Sequence, residues 1–453
     1  GDTMRVKCRF CKTSIEKKDA FKDPTKNFYY CNEEHYIAAV NKKEKEVKEK
    51  EKAKKAREEA KEEVKKIKIE GDNLREKRNK TSNEIGLLMR EGKKDDAENN
   101  KKIVIEINSK LENIEKREDE LTSMLKEKMM LIPNIIADDV PIGEDDSKNV
   151  SEEQFGEPVV PDFEIPYHAD IMASFNGLDK DAAGRVSGTG FYYLIGDIAR
   201  LHSAVLSYAR DFMIDKGFTY CIPPYMIHGD AVNGVMSFEE KENMMYKIEG
   251  EDLYLIGTSE HSMIAKYKDQ ILKESDLPIT MTSYSPCFRK EIGAHGIEER
   301  GIYCIHQFEK QEMIVICKKE DSDDWYDKMW KFSVQLFRSL NIPVRKLVCC
   351  SGDLADLKYR SCDIEAWSPR QKKYFEVCSC SNLTDAQARR LGIRYRKENG
   401  EKEFVHTLNN TVIAPPRMLI AFLENNLNED GSVTIPEPLR MYMGGKDKIE
   451  VKK

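Results

Sequence analysis

The chain has 453 residues, with 74 Lys and Arg, 81 Asp and Glu, and a formal net charge of −7. Its length predicts two to four domains of roughly 100–200 residues each. No apolar run reaches the ~18–20 residues of a membrane helix, and twelve cysteines are too few for a disulfide scaffold. We therefore expect a cytoplasmic protein with reduced thiols and no membrane partner. Charged residues make up 34% of the chain, against ~25% in an average domain, which predicts a long exposed segment.

Residues 4–40 hold a spaced set of potential metal ligands. Cys8 and Cys11 form a C-x2-C pair, and Cys31 and His35 form a C-x3-H pair further on. Two such pairs can complete a tetrahedron around Zn²⁺. Because about 35 residues bury too little apolar surface to fold alone, we predict a small zinc-ribbon-like module with a structural zinc site. The alternative is four buried or unpaired side chains without metal.

Residues 41–131 contain no proline and are rich in Lys and Glu, which favours a long antiparallel helical hairpin. Apolar residues recur at heptad spacing in its second half, at Ile107, Leu111, Ile114, Leu121 and Leu125. Gly92 predicts the break between two helices of roughly 60 Å each. Residues 41–80 carry 17 basic and 11 acidic side chains, against 10 and 12 in residues 81–130. This basic first helix is either an ordinary solvated surface or one that follows a phosphate backbone, and the segment alone leaves both open.

Prolines and an acidic run predict a linker over residues 132–160, and residues 161–453 have the composition of a globular α+β domain. Strands are predicted at 253–256, 304–305, 313–317, 345–350 and 374–377, and helices at 197–216, 323–340 and 417–424. No Walker loop, G-x-G-x-x-G motif or Ser-His-Asp elbow is present, so neither a P-loop nor a Rossmann enzyme is expected.

A series of short motifs in this domain resembles the seryl-tRNA synthetase family, in its archaeal and eukaryotic branch. The motifs are Thr258-Ser-Glu260, Cys287-Phe-Arg289-Lys-Glu291, His306-Gln-Phe308, Ser379-Cys-Ser-Asn382, His406-Thr-Leu-Asn409, Arg417 before Ala421-Phe-Leu-Glu424, and Pro438-Leu-Arg-Met-Tyr-Met-Gly-Gly445. The resemblance covers roughly residues 60–447. It implies a class II catalytic domain with an antiparallel sheet flanked by helices, and a homodimer whose contact uses about residues 196–224. It also implies that the hairpin binds the variable arm of serine tRNA.

The resemblance further implies a two-step reaction, in which L-serine and ATP give seryl-adenylate and the seryl group then passes to tRNA. Arg289 would bridge the serine carboxylate and the α-phosphate, and Arg417 would contact the γ-phosphate. A planar guanidinium suits this work because it forks across two anions. The implied ATP ligands are Arg289, Glu291, Phe308, Glu376, Ser379 and Arg417, with Mg²⁺ held by Glu376 and Ser379. The implied serine ligands are Thr258, Glu260, Arg289, Glu312, Asn409 and Thr411, with Glu312 accepting from the hydroxyl.

Three positions depart from the family pattern. Cys304 stands where the family has an arginine, Phe375 where an arginine commonly precedes the glutamate, and Ala414-Pro-Pro leads into Arg417. A thiol supplies neither the charge nor the forked donors of a guanidinium. The leading hypothesis is an active serine–tRNA ligase with Arg289, Arg417 and Glu376 as catalytic residues. The alternatives are a catalytically weakened paralogue that binds RNA or protein, and a ligase that charges a carrier other than tRNA.

Overall fold

The computed structural model describes residues 5–7, 14–16, 19–22, 24, 29–30, 32–130, 132–291 and 301–452, with some side chains before residue 58 left undescribed. Cys8, Cys11, Cys31 and the side chain of His35 lie outside the described residues, so the zinc site stays a prediction. Ile37–Pro133 form one compact unit, and Gly1–Tyr36 with Asn134–Lys453 form a second.

The described backbone near the N-terminus forms two short antiparallel ribbons. β1 (Arg5–Lys7) pairs with β2 (Ser14–Glu16), and β3 (Phe21–Lys22) pairs with β4 (Tyr29–Tyr30). The ring centroids of Phe21 and Tyr36 lie 5.0 Å apart. Ribbons of two or three residues are not stable by themselves. This segment therefore needs a further source of stability, as its small size predicts.

Two long helices form the predicted hairpin, α1 (Glu33–Arg90) and α2 (Lys94–Met130). Gly92 lies in the turn with φ +78°, a backbone conformation that side chains other than that of glycine rarely adopt. α1 begins at Glu33, earlier than the predicted start of the hairpin at residue 41, whereas the compact unit that contains the hairpin begins at Ile37. The helix begins early because two glutamates suit the first turn of a helix and no helix-breaking residue follows them.

The seam between the two helices is narrow and apolar. Ile107, Leu111 and Leu121 are buried, as their heptad spacing predicts. On α1, a Cβ atom added at Gly71 would lie 3.5 Å from Cγ2 of Ile114. The helices thus approach closely at this point.

Ion pairs flank the seam on both sides. Glu63 pairs with Arg117, Lys68 with Glu118 and Arg75 with Glu115, at N–O distances of 3.4, 3.5 and 3.4 Å. These side chains are mostly exposed, and each such pair is worth only about 0–1 kcal/mol. They contribute to the register of the two helices, whereas the apolar seam supplies most of the stability of the hairpin.

The second unit alternates strands and helices. Its strands are β5 (Val150–Phe155), β6 (Leu178–Asp179), β7 (Tyr193–Leu194), β8 (Thr219–Cys221), β9 (Met226–Ile227), β10 (Tyr254–Leu255), β11 (Ile271–Lys273), β12 (Ile279–Phe288), β13 (Gln307–Cys317), β14 (Val344–Val348), β15 (Arg360–Ser368), β16 (Lys373–Thr384), β17 (Arg394–Arg396), β18 (Lys402–Phe404), β19 (His406–Ile413), β20 (Val433–Thr434) and β21 (Lys448–Ile449). Its helices are α3 (His168–Ser174), α4 (Lys180–Val186), α5 (Gly196–Asp215), α6 (Gly229–Val235), α7 (Phe238–Met244), α8 (Ser259–Ala265), α9 (Ser322–Ser339), α10 (Ala386–Leu391), α11 (Pro415–Asn426) and α12 (Glu437–Arg440).

The main sheet has the strand order β5-β14-β15-β16-β19-β13-β12-β8, and its neighbours are antiparallel except for β12 and β8. α5, α9 and α11 cover one face of this sheet and contribute to the larger apolar core. A smaller core, with residues from α6, α8 and α10, lies on the opposite face. The α+β fold with a mostly antiparallel sheet is therefore confirmed.

Two element predictions are wrong. β5 lies inside the segment predicted as a linker and pairs with β14 at the edge of the main sheet. Its sequence carries no apolar alternation, because only Val150 and Phe155 are half-buried and the four residues between them are exposed. Residues 304–305 are not a strand. The other predicted strands and helices fall on β10, β13, β14, β16, α5, α9 and α11, although β13 begins at Gln307 and not at 313, and β16 ends at Thr384 and not at 377.

The part of the chain that the structure describes contains no helix that is both long enough and apolar enough to cross a membrane.

The seam of the hairpin gives a test with a matched control on the same helix. Ile107→Ala removes a side chain that is 4% exposed, and we expect it to lower the local free energy of unfolding of α2 by about 2–4 kcal/mol. Ile105→Ala changes the same residue type at 67% exposure, and we expect a change within about 0.5 kcal/mol. Hydrogen exchange of the α2 amides in the full chain measures both. Equal effects of the two variants would contradict the assigned seam.

Candidate active site

A row of polar side chains on β13 marks the centre of the candidate site. Successive side chains of a strand point to opposite faces, so alternate residues line one face. Met313 and Val315 point into the larger core, whereas Ile314 belongs to the smaller one. Lys310 and Glu312 continue the row of Ile314 and are 6% and 2% exposed. Two ionisable groups are therefore buried on the face of the sheet opposite α5, α9 and α11.

The Glu312 carboxylate is held from one side only. Its Oε1 atom accepts a hydrogen bond of 2.8 Å from Thr258 Oγ1 and lies 2.9 Å from Lys310 Nζ. Its Oε2 atom is buried and has no hydrogen-bond partner among the described residues. An acceptor in that state leaves a place for one donor from a ligand.

Thr258 and Glu260 flank the start of α8 and bring a second carboxylate to the pocket. Thr258 caps this helix, and its Oγ1 atom accepts from the Glu260 amide at 3.3 Å. Oε1 of Glu260 accepts from Gln387 Nε2 at 2.9 Å. Burial and, after it, the neighbouring Glu312 charge raise the pKa of Glu260 to about 7. The pocket therefore favours a cationic group that would offset this repulsion.

Two residues of β19 complete the pocket floor. Thr411 lies directly opposite Glu312 in the antiparallel pair of β19 and β13, and Asn409 lies opposite Ile314. Opposed residues of neighbouring strands project to the same face. Both β19 side chains are buried. The structure thus brings Thr258, Glu260, Glu312, Asn409 and Thr411 to one region of this face, and their roles as serine ligands stay a prediction.

Arg289 follows β12 and is oriented by main-chain groups. Its Nε atom donates to the Gly257 carbonyl at 3.1 Å, and the guanidinium carbon lies 5.2 Å from the centroid of the Phe308 ring. Two hydrogen bonds join the main chain of Arg289 to His306. Its amide donates to the His306 carbonyl, and His306 Nδ1 lies 2.9 Å from the Arg289 carbonyl and donates to it.

The position of the His306 ring depends on a glycine. A Cβ atom at Gly190 would lie 2.1 Å from Cδ2 of His306, so no side chain fits there. The main chain closes the same contact, because the His306 amide donates to the Gly190 carbonyl. His306 is therefore more than a packing residue, since it fixes the main chain from which Arg289 projects. Glu291 is the last described residue before 301, and it has a φ of +51°.

A second cationic position lies at the start of α11. Arg417 Nη1 is 3.5 Å from Oε2 of Glu376, and its guanidinium carbon is 4.5 Å from the centroid of the Tyr303 ring. Pro415 and Pro416 stand in the first turn of α11, where a missing amide hydrogen costs little. The departure from the family pattern at these prolines is thus compatible with a regular helix that carries Arg417.

Other side chains with oxygen atoms lie near Glu376, on the same face of the main sheet as Glu376 itself. Glu376 lies opposite Glu365, and Ser379 lies opposite Asp363, in the pair of β16 and β15. Burial and the charge of Glu376 hold the pKa of Asp363 well above its usual range. A cleft of about 760 Å³ adjoins Glu376 and is lined on this side by Tyr303, Asp363, Glu365 and Phe375.

The two remaining departures from the family pattern, Cys304 and Phe375, both lie close to the side chains around Arg417. Burial raises the pKa of the Cys304 thiol, and the neighbouring Arg417 guanidinium opposes this rise. Cys304 therefore stands beside the second cationic position. Phe375 belongs to the larger core and meets the Tyr303 ring at 6.1 Å, edge to face. Arg300 lies outside the described residues.

Two residues of the pocket were not predicted. Lys310 was missed although it lies two positions before Glu312, a spacing that puts both side chains on one face of a strand. Gln387 was missed because its contact with Glu260 comes from α10, 127 positions further along the chain. The first residue had a usable sequence signal, and the second had none.

Two family models match the chain. Residues 32–136 match the seryl-tRNA synthetase N-terminal domain, and residues 244–426 match the class II core domain of the tRNA synthetases for G, H, P, S and T. Neither match includes the residues before 32, where three of the four predicted zinc ligands lie.

Curated relatives and solved structures agree with these matches. A serine–tRNA ligase of Methanoculleus marisnigri is 42% identical over 342 residues, which are 75% of this chain and 80% of that protein. The structure of seryl-tRNA synthetase from Pyrococcus horikoshii complexed with ATP is 37% identical, with a TM-score of 0.76, over 87% of this chain and 92% of that one. A cytoplasmic serine–tRNA ligase from Naegleria fowleri in complex with AMP is 32% identical, with a TM-score of 0.71, over 86% and 92%. On the hairpin, the sheet and these matches, the chain belongs to the seryl-tRNA synthetase family.

Proposed function

We propose that the chain is an active serine–tRNA ligase that joins L-serine to serine tRNA through a seryl-adenylate. The observation that carries this proposal is the buried Oε2 atom of Glu312, which has no donor among the described residues and lies near a second carboxylate, Glu260. Serine offers one hydroxyl donor and one ammonium group. The pocket has one place for each of them.

In the first step an oxygen of the serine carboxylate attacks the α-phosphorus of ATP. The bond from that phosphorus to its bridging oxygen breaks, and pyrophosphate leaves with the electron pair. Arg289 contacts both anions as they approach and stabilises the charge that develops on the phosphoryl oxygens. Its Nε bond to Gly257 fixes the plane of the guanidinium before the substrates bind. Phe308 would offer a ring face for the adenine, and Glu291 would accept a hydrogen bond from the adenine edge.

Arg417 and the carboxylates near it receive the polyphosphate. Glu376 and Ser379 would hold Mg²⁺, because a carboxylate and a hydroxyl suit a hard cation and the neighbouring acidic groups repel one another without one. An ion held there would supply positive charge to offset that of the leaving pyrophosphate. Arg417, 3.5 Å from Glu376, lies where the far end of a bent ATP would reach.

In the second step a hydroxyl of the 3′-terminal ribose of tRNA attacks the seryl carbonyl carbon, and AMP leaves. The basic first helix of the hairpin supports binding of the tRNA backbone there.

A homodimer in the cytoplasm is part of the proposal. Its support is a set of exposed apolar side chains in and around residues 196–224, namely Tyr193, Ile195, Ile214, Ile222 and Met226. A zinc ion on Cys8, Cys11, Cys31 and His35 also remains a proposal.

Cys304 favours a second candidate function, a weakened paralogue that binds RNA or protein. In the leading proposal Arg289 and Arg417 supply the needed guanidinium groups, and Cys304 is tolerated. The two functions differ in whether an adenylate forms.

The first prediction concerns activation. We expect the purified chain to exchange pyrophosphate into ATP when serine is present, with alanine at least about a thousandfold poorer in kcat/KM, because alanine leaves a buried acceptor unpaired. Cys304→Ala should keep exchange within about threefold of the wild type. Exchange by Cys304→Arg alone, with the wild type inactive, would favour the weakened paralogue.

The second prediction concerns pH. Glu260 must be ionised to bind the serine ammonium, and its pKa of about 7 in the empty pocket means that protons compete below that pH. We expect kcat/KM for serine to fall about tenfold per pH unit below pH 7 at saturating ATP. Glu260→Gln should lower the activity and flatten this limb. A wild-type profile that stays level down to pH 5.5 would contradict the assigned role.

The third prediction concerns the support of Arg289. Gly190→Ala forces the His306 ring to move, since no side chain fits at 2.1 Å, and we expect a loss of at least about tenfold in kcat for exchange. Gly184→Ala is the matched control, because a Cβ atom there meets nothing within 4 Å. The interpretation fails if both variants keep wild-type kcat.

A further inference from the structure

Lys310 is a buried cation with no role in the reaction as described so far. Its side chain is 8% exposed, and its Nζ atom lies 2.9 Å from Oε1 of Glu312, whose side chain is 2% exposed. Ion pairs buried to this degree are costly to form, because both charges lose their hydration. An apolar pair of similar volume is often as stable or more stable. The pair therefore needs a reason other than stability.

The geometry of the carboxylate supplies that reason. Lys310 and Thr258 both contact Oε1 of Glu312, and both contacts are within 3 Å. Oε2 is left without a partner among the described residues although it is buried. One oxygen is thus fixed by two donors, and the other is a buried acceptor without a donor among the described residues.

The charges around Glu312 also favour a role for Lys310 in orienting its carboxylate. Glu260 and Glu312 bring two negative charges, and Lys310 is the direct counter-charge of Glu312. The charge of the buried Lys358 also acts on Glu260, more strongly than that of Lys310 does. Without Lys310 the two carboxylates would face one another with no cation on Glu312, and Glu312 would lose both its counter-charge and its fixed orientation.

We propose that Lys310 is a positioning residue for serine selection, which fixes the Glu312 carboxylate so that only Oε2 is free to accept from the serine hydroxyl. This inference rests on the proposed function, because it assumes that serine occupies the pocket. Alanine is rejected to the degree that Oε2 stays charged, buried and unpaired when the hydroxyl is missing. Lys310 therefore acts through Glu312 on the choice of amino acid, and it does not affect the binding of ATP.

The test uses serine-dependent and alanine-dependent pyrophosphate exchange by the full chain. For Lys310→Met we expect KM for serine to rise at least about 30-fold and the preference for serine over alanine to fall at least about tenfold, with KM for ATP within about threefold. An equal rise in both KM values would overturn the proposal, because Lys310 would then contact ATP or support the whole site.

A matched control separates this effect from the loss of any ion pair. Lys318 lies 2.9 Å from Glu274, the same distance as in the buried pair, but its side chain is 32% exposed. We expect Lys318→Met to leave both KM values unchanged. A change in serine KM as large as that of Lys310→Met would overturn the assignment.

A double-mutant cycle shows whether Lys310 acts through Glu312. On a Glu312→Gln background the amide needs no counter-charge, so adding Lys310→Met should cause no further loss in kcat/KM for serine. Losses that multiply would mean an independent role and overturn the proposal. This double variant removes both charges of the pair and leaves the net charge of the site unchanged, so a folding defect of Lys310→Met alone does not hide the answer. A wild-type chain without serine-dependent exchange would refute the proposed function, whereas an active wild type with an unaffected Lys310→Met variant would refute this inference alone.

Discussion

The alternation of side chains along β13 is the constraint on which the site depends. Its odd positions from Met313 to Cys317 are fixed in the larger core, because they pack among α5, α9 and α11. Its even positions must then face the other side of the sheet. A shift of one residue in the pairing would exchange the two faces and bury Glu312 among apolar side chains. The apolar half of this strand therefore sets the direction in which Lys310 and Glu312 point.

The same strand connects the two ends of the reaction. Phe308 at its beginning stands beside Arg289, while Glu312 lies four residues further on, at the pocket with Thr258. Four residues of a strand span about 13 Å. In the proposed reaction the adenine would lie near the first position and the serine side chain near the second. One strand would then set the spacing between the two substrates.

Local patterns predicted much of this protein, and their failures have physical causes. The hairpin followed from heptad spacing and Gly92, because a helix pair is held by contacts that repeat along the chain. β5 was missed, since an edge strand with four exposed positions in six shows no apolar alternation. The site residues came from a resemblance of motifs, and the structure brings them together. Gln387 and the support of His306 by Gly190 were not predictable, because each depends on a contact between segments distant in sequence.

The chain differs from its family at a position where a cation is usual, and the surrounding residues show how the charge is redistributed. Cys304 removes one guanidinium from the side of the site that carries Arg417 and Glu376. Arg417 then has Glu376 at 3.5 Å and the Tyr303 ring at 4.5 Å. Phe375 packs against that same ring and also lines the cleft. Two arginines of the family pattern are thus replaced by neutral groups on one side of the site, and both replacements lie beside Tyr303. With fewer cations available, Mg²⁺ would carry a larger share of the polyphosphate charge in this enzyme, and Arg417 would be less replaceable than it is where a neighbouring arginine remains.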